Sequence, residues 1–428
     1  MVFWLRSGIS LFIIDQIAYQ RTKRLSDHIL EKKTRYRVVI VGAGFGGATT
    51  AKYIRLANPE IEVILIERNK SFVSGPFSNT VITNLNSMET IAHPLHNLPL
   101  NHQINLIQAN VTAIDPEQKK VWLENGERIP YDQLVVSPGI DIRWNALEGY
   151  DQAASEIMPH AWIPGSQTAL LKRQLQAMPD GGVVAISVPA NPFRCPPGPY
   201  ERASLIAHYF SQYKPHSKVL ILDSENSFAK QALFEQGWQQ LYPGMIERIP
   251  LSGGGRVIAI EAAQGRIHTE IDEFKPDVAN IIPPQQAGYI AQQAGLSDST
   301  GWCPVNQKTF ESSNIPDIYV IGDSSLAGYM PKSAFSANCQ AKVCAQAVVA
   351  KFSGKAALQP SFINTCYSLL APDYGISVAA VYQLLEGEIV PISGAGGVSP
   401  LNASRDDFAL EASYAKGWYQ NIITDSFS

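Results

Sequence analysis

The residue in this chain best placed to do chemistry is Cys195, in the segment RCPPGPYERAS. It follows the apolar run Val183-Val184-Ala185-Ile186, which reads as a buried strand, and precedes a helix predicted from about Pro199 to Phe210. A nicotinamide-binding unit needs glycines in such a turn, so that backbone can approach a pyrophosphate at the helix N-terminus. Prolines and one thiol stand there instead, which argues against NAD(P) as reductant and for redox chemistry at a cysteine. Pro196 biases Cys195 toward an extended backbone, and Pro199 suits the first helical position. The helix N-terminus and the nearby Arg194 and Arg202 would favour a thiolate at Cys195. Glu201, in the first helical turn, reads as an acid complementing the helix dipole or as a proton shuttle. Cys195 itself also reads as a small buried apolar residue.

The other four cysteines are Cys303, Cys339, Cys344 and Cys366. No C-x-x-C, C-x-x-C-H or zinc spacing occurs among them, and an odd, sparse set does not describe a disulfide scaffold. Cys366 lies among small polar residues in SFINTCYSLL. Cys339 and Cys344 share a predicted helix but not a face and read as core; Cys303 reads as a structural strand start. The eight histidines form no metal constellation, so no metal is expected.

Around these residues lies a nucleotide-binding frame. A strand over Tyr36 to Val41 runs into Gly42-Ala-Gly44-Phe-Gly-Gly47 and then a helix. A second strand, Ile61 to Ile66, ends at Glu67, about twenty residues after Gly47, as a dinucleotide fingerprint requires. Glu67 would accept hydrogen bonds from the adenosine ribose. Two further strands end in turns: Tyr131 to Val136 before Gly139, and Ile318 to Ile321 before Gly322-Asp323. Lys332-Ser333 opens a long helix to Ala350. This layout resembles the FAD-binding, disulfide-reductase-like flavoproteins. Asp323 would bond a ribityl hydroxyl, and the helix N-terminus after Ser333 would face the flavin edge where negative charge develops.

The 428 residues, 45% hydrophobic and 17% charged, suffice for two or three domains. A net charge of −4 gives no basic footprint for nucleic acid, and no apolar run reaches membrane-spanning length. The expected fold class is α/β: two Rossmann-like nucleotide-binding domains and a small α+β C-terminal domain. Expected divisions are 1–34, an atypical leader or N-terminal extension; 35–155 and 276–354, the two parts of an FAD-binding domain; 156–275, a middle Rossmann-like domain without an NAD fingerprint; and 355–428, the C-terminal domain. Within the last, SGAGG at 393–397 reads as a turn.

The segments VIVGAGFGGATTAKYI, FRCPPGPYERAS, ANIIPPQQAG, MPKSAFSAN, NTCYSLLAPDYGISVAA and WYQNIITDSF resemble the flavoprotein subunits of flavocytochrome c sulfide dehydrogenases. These belong to the sulfide:quinone oxidoreductase-like flavoproteins. The resemblance runs from about Arg37 to the C-terminus. It implies FAD and a redox-active disulfide, whose two cysteines fall on Cys195 and Cys366. Hydrosulfide would open that disulfide to a persulfide and a thiolate, which passes two electrons to the flavin. Glu201 matches a glutamate taken as acid or base. Electrons would leave singly for a c-type cytochrome subunit, since no haem motif lies on this chain, and the family implies a periplasmic location. One departure concerns the segment Val73 to Asn79. Gly75 stands where relatives attach the flavin to a cysteine, so the FAD is expected to be non-covalent. Two alternatives remain: a quinone-reducing relative, using the C-terminal segment 412–423 against a membrane, and an electron-transfer subunit without sulfide turnover.

Overall fold

The computed structural model describes residues 36–428; the expected leader or extension at 1–34 lies outside the described residues. In chain order the parallel strands are β1 (Arg37–Val41), β2 (Glu62–Glu67), β3 (Asn105–Gln108), β4 (Gln133–Val136), β5 (Val183–Val188), β6 (Lys218–Asp223), β7 (Ile246–Ile249), β8 (Val278–Ile281) and β9 (Ile318–Val320). The helices that matter to the site are α1 (Phe45–Ala57), α2 (Gly198–Tyr213), α3 (Gln231–Leu241) and α4 (Ala334–Phe352). The chain ends in β10 (Ser361–Ala371), β11 (Tyr374–Leu385), β12 (Glu388–Val398) and α5 (Arg405–Phe427).

The first parallel sheet has the order β9-β4-β1-β2-β3. Val38, Val39 and Ile40 of β1 and Leu134, Val135 and Val136 of β4 have no exposed surface. Unbroken apolar runs of this kind belong to sheets covered on both faces, which is why these strands do not alternate. The second parallel sheet has the order β7-β6-β5-β8. Here the expected boundary at 275/276 needs correction. Val278–Ile281 pairs with β5, with Val184 opposite Val278, so the chain leaves the middle sheet only after β8. The segment ANIIPPQQAG therefore starts inside the middle sheet, because its backbone pairs with the edge that β5 leaves open.

The C-terminal strands form an antiparallel sheet in the order β10-β11-β12, followed by α5. Ser404 and Asp407 build a reciprocal capping box at the start of α5. Its buried residues Phe408, Ala412, Ala415, Tyr419 and Ile422 recur at helical spacing, so one face is spent on the protein itself. Residues 393–397 are not a turn. They lie inside β12, with Gly394 at φ +74° near a shift in the pairing register. No helix of the described residues is long and apolar enough to cross a membrane.

Candidate active site

The glycine fingerprint sits at the carboxyl ends of β1 and β2, where α/β sheets bind nucleotides. Gly42 adopts φ +93°, and a Cβ there would lie 2.4 Å from the Ser137 carbonyl oxygen. A Cβ on Gly47 would come within 1.8 Å of the Gly42 carbonyl oxygen, so α1 can approach β1 this closely only through glycine. Gly44 is the N-cap of α1 and no acidic residue occupies the first turn, leaving the amide groups and positive dipole end for a phosphate. Glu67 accepts hydrogen bonds from the Ala43 amide at 2.9 Å and, on its other oxygen, from the Asn69 amide at 2.9 Å and Asn69 Nδ2 at 2.8 Å. It therefore ties the glycine loop to the end of β2, and its remaining lone pairs are those free for a ribose.

The second half of the cradle follows β4 and β9. Gly139 and Gly322 both have φ +72°, and the Ser324 hydroxyl donates to the Gly139 carbonyl, joining the two turns. The Asp323 Oδ1 atom is buried with no partner from the protein. A buried orphaned carboxylate oxygen is costly unless a ligand satisfies it, and a ribityl hydroxyl is the right kind of donor. Burial pushes the Asp323 carboxyl up, while the Arg194 and Lys332 charges oppose that. Lys332 donates to the Asp323 carbonyl at 2.8 Å and the Ser325 carbonyl at 2.9 Å, and rests 3.7 Å from the Trp302 ring centroid. Burial lowers its pKa to about 8. Ser333 caps α4 by accepting from the Ser336 amide at 3.1 Å, and it donates to Asn364 at 2.7 Å. That bond draws β10 against the helix terminus. These residues fit a flavin dinucleotide.

Cys195 and Cys366 converge on this helix end. The Cys195 amide donates to the Lys332 carbonyl at 2.8 Å, and its own carbonyl accepts from the Gly198 amide at 2.8 Å. Held by both bonds, Cys195 takes φ +57°, a left-handed conformation in place of the extended one expected before a proline. The two cysteines are thiols in hydrogen-bond contact. Through that bond Cys195 is raised well above the ordinary thiol range, and burial adds to the rise. The same bond lowers Cys366; burial opposes this and the Lys230 charge assists it. The expected thiolate at Cys195 is thus corrected: the lowered thiol is Cys366. Arg202 directs its guanidinium hydrogen bonds to Asn79 at 2.9 Å, Asn280 at 2.7 Å and the carbonyls of His160 and Ala161, and its charge also faces Cys195.

An open cavity, with about 90 Å³ of room for water-sized contents, runs along both sulfurs. Its wall includes Gly75, Asn79, Trp162, Glu201, Ser333 and Trp418. The Glu201 carboxylate accepts from Asn79 Nδ2 at 2.8 Å and from the Leu369 amide at 2.8 Å. Burial raises its pKa, and those two hydrogen bonds partly offset the rise. A carboxyl so placed can exchange a proton with the adjacent thiols. Asn79 serves both Glu201 and Arg202, a role its sequence neighbourhood did not signal. Lys230, also missed, precedes α3 and carries no local motif; only the meeting of α3 with β10 reveals it. Cys303 and Cys344 are fully buried, as expected for core, whereas Cys339 is half-buried. Among the described residues no group of three or more ligating side chains could hold a metal.

The crevice of the middle sheet is filled by protein. Asp223, at the end of β6 and fully buried, accepts from the Tyr200 hydroxyl at 2.7 Å and from Arg248 Nε at 2.7 Å. Tyr200 stacks on Phe228 at 3.5 Å between centroids, and Arg248 lies 5.0 Å from the Phe228 ring centroid.

Two nucleotide-type α/β units, a flavin cradle and paired cysteines define an α/β flavoprotein of the disulfide-reductase type. Residues 36–161 match the pyridine nucleotide-disulphide oxidoreductase family. Residues 168–283 match the central domain of the sulfide dehydrogenase [flavocytochrome c] flavoprotein chain, and residues 358–427 its flavin-binding domain. The chain belongs to this family of flavocytochrome c sulfide dehydrogenase and sulfide:quinone oxidoreductase-like flavoproteins, and it binds FAD. It is 60% identical over 45 residues to the sulfide dehydrogenase flavoprotein chain of Chlorobaculum thiosulfatiphilum, covering 94% of that sequence and 10% of this one. To the sulfide-quinone reductase of Aquifex aeolicus it is 30% identical over 172 residues, 40% of this chain and 38% of that one. The mitochondrial sulfide:quinone oxidoreductase of Dictyostelium discoideum is 20% identical over 302 residues, 68% of this chain and 65% of its own. The chain thus spans less than two thirds of the length of these last two relatives. The solved sulfide:quinone oxidoreductase of Aquifex aeolicus superposes with a TM-score of 0.73 at 19% identity, covering 91% of this chain and 92% of that one.

Proposed function

We propose that this protein is an oxidoreductase that oxidises sulfide, or a related reduced sulfur compound, through a Cys195–Cys366 disulfide and delivers the electrons to a c-type cytochrome. The observation that carries the proposal is the contact between the two thiols, which come from different domains and line one cavity beside the flavin cradle. Hydrosulfide attacks one sulfur, forming a new S–S bond while the Cys195–Cys366 bond breaks. The products are a persulfide on one cysteine and a thiolate on the other. Glu201 takes the proton that the substrate loses on entering as its anion. FAD, when bound, supplies an acceptor for two electrons that can release them one at a time. Gly42, Gly44, Gly47, Glu67, Gly139, Gly322, Asp323, Lys332 and Ser333 hold it. Gly75 lines the cavity without a side-chain nucleophile, so attachment is non-covalent. The haem sits on a partner subunit, and the pair works in the periplasm.

Quinone is the second acceptor worth testing, because Tyr367, Leu369 and Trp418 give the cavity an apolar wall on the α5 side. However, α5 turns its apolar face inward, so the docking of segment 412–423 on a membrane loses support. Anaerobic sulfide titration of the holoprotein tests the main proposal. Bleaching of the flavin band followed by reduction of soluble cytochrome c is expected. Bleaching followed only by reduction of a short-chain quinone moves the acceptor, and no bleaching leaves an electron-transfer subunit without sulfide turnover.

A further inference from the structure

Lys230 is the charged group on this site that neither the fingerprint nor the paired thiols explain. It is 8% exposed and sits at φ +64°, a left-handed backbone that a lysine adopts at a cost. That conformation ends the loop before α3 and sends the side chain across to β10. There Nζ donates to the Ser368 hydroxyl at 2.8 Å and to the Cys366 carbonyl at 3.3 Å. Its position is fixed from behind by the Phe234 ring, 5.8 Å from Nζ. A buried ammonium needs compensating negative charge, and neither Ser368 nor a carbonyl supplies any. The titratable acids that face it are Cys366 on β10, Cys195 and Glu201 at the start of α2, and Glu411 on α5. Cys366 is first among them in influence. The cations facing Cys195 are shared: Arg194 also serves the Trp162 carbonyl and Asp323, and Arg202 donates to Asn79, Asn280 and the carbonyls of His160 and Ala161.

We propose that Lys230 is a positioning residue that makes Cys366 the sulfur released as thiolate when the Cys195–Cys366 disulfide is opened. This rests on the disulfide reading above. The substrate sulfur then bonds to Cys195 Sγ, the Cys195–Cys366 bond breaks, and its electron pair stays on Cys366 Sγ opposite the ammonium. The hydrosulfide proton remains on the outer sulfur of the Cys195 persulfide, so atoms and charge balance: one anion enters and one thiolate leaves. Leaving-group stabilisation governs which sulfur of a disulfide is attacked, and Lys230, bonded at 3.3 Å to the carbonyl of Cys366 itself, is the ammonium built into that residue's strand.

The test uses reduced, FAD-loaded protein and iodoacetamide, with mass spectrometry reading alkylation at each cysteine as a function of pH. In the unaltered protein Cys366 should react at lower pH than Cys195. In Lys230→Met the Cys366 midpoint should rise by at least about one pH unit, tenfold in thiolate at fixed pH, while Lys230→Arg stays near the unaltered value. Oxidised protein given sulfide and then alkylated should carry the persulfide label on Cys195. Should Lys230→Met fail to retain FAD, Lys230→Gln, which keeps a donor to Ser368 without the charge, must show the same rise. An unmoved Cys366 midpoint in a folded uncharged variant, or a persulfide label on Cys366, overturns the role of Lys230 alone. Failure to find a Cys195–Cys366 linked peptide in the oxidised protein overturns the disulfide reading as well.

Discussion

The Tyr200 hydroxyl donates to the Asp223 carboxylate at 2.7 Å in the interior of the middle sheet. In a dinucleotide-binding unit an acid at this strand end would face the adenosine ribose. Here Tyr200, Arg248 and the Glu225 amide take up its oxygens, and the ring of Phe228 seals the space above Tyr200. NADH should therefore leave the flavin band unchanged under anaerobic conditions over minutes. Stopped-flow absorbance checks this, and rapid bleaching by NADH would refute the account of the crevice.

Cys195→Ser and Cys366→Ser should each abolish sulfide-dependent flavin reduction. The loss should be at least about 10³-fold, since members of a catalytic unit fail together. FAD content and melting temperature should stay close to the unaltered protein. The cysteine pair lies beside the cradle and not within it, so turnover surviving in either variant would remove the disulfide step.

Asp323→Ala should weaken FAD binding by roughly 10- to 100-fold, the range expected when a hydrogen bond to a charged group is lost. Fluorescence titration of the apoprotein measures it. An unchanged affinity would mean the orphaned Oδ1 faces something other than the ribityl chain.

Acid precipitation of the holoprotein should leave all the FAD in the supernatant. Gly75 offers no atom for a thioether, and no cysteine lines the cavity beyond Cys195 and Cys366. Yellow colour kept in the pellet would show attachment at another residue.

His160 is 4% exposed, accepts the Trp162 amide on Nδ1 at 2.9 Å, and has its pKa lowered to about 4 by burial and by the charges of Arg202 and Arg194. The imidazole is neutral when folded and gains a proton near its ordinary pKa when unfolded. Its stability contribution is therefore complete above about pH 6.5 and is lost as pH falls toward 4, by about 3 kcal/mol in total. Thermal melts between these limits should fall less steeply in His160→Gln than in the unaltered protein. Parallel slopes would show that other groups carry the acid sensitivity.

The elements that build the nucleotide cradle were readable from local pattern. β1, β2, β4, β5 and β9 are continuous apolar runs because both faces of their sheets are covered, and Gly42 and Gly47 must be glycine because backbone passes within reach of any Cβ. Glu67, Gly322 and Asp323 could be named in the same way, since turn residues declare themselves by type and spacing. The pairing of Cys195 with Cys366 was legible only through resemblance, because nothing local to either thiol identifies its partner.

Three features were decided by the tertiary structure alone. β8 joined the middle sheet, past the expected boundary, because β5 had an open edge that no local pattern announces. Cys195 turned left-handed, against the bias imposed by Pro196, because Lys332 and Gly198 hold both of its peptide groups. The thiol that is lowered is Cys366, chiefly through its hydrogen bond with Cys195 and with help from the Lys230 charge, and both partners come from distant parts of the chain. Local chain chemistry determines strands, turns and glycine loops, whose causes lie within a few residues. A pKa depends on charges a few ångströms away in space, and those become neighbours only once the domains have closed on one another.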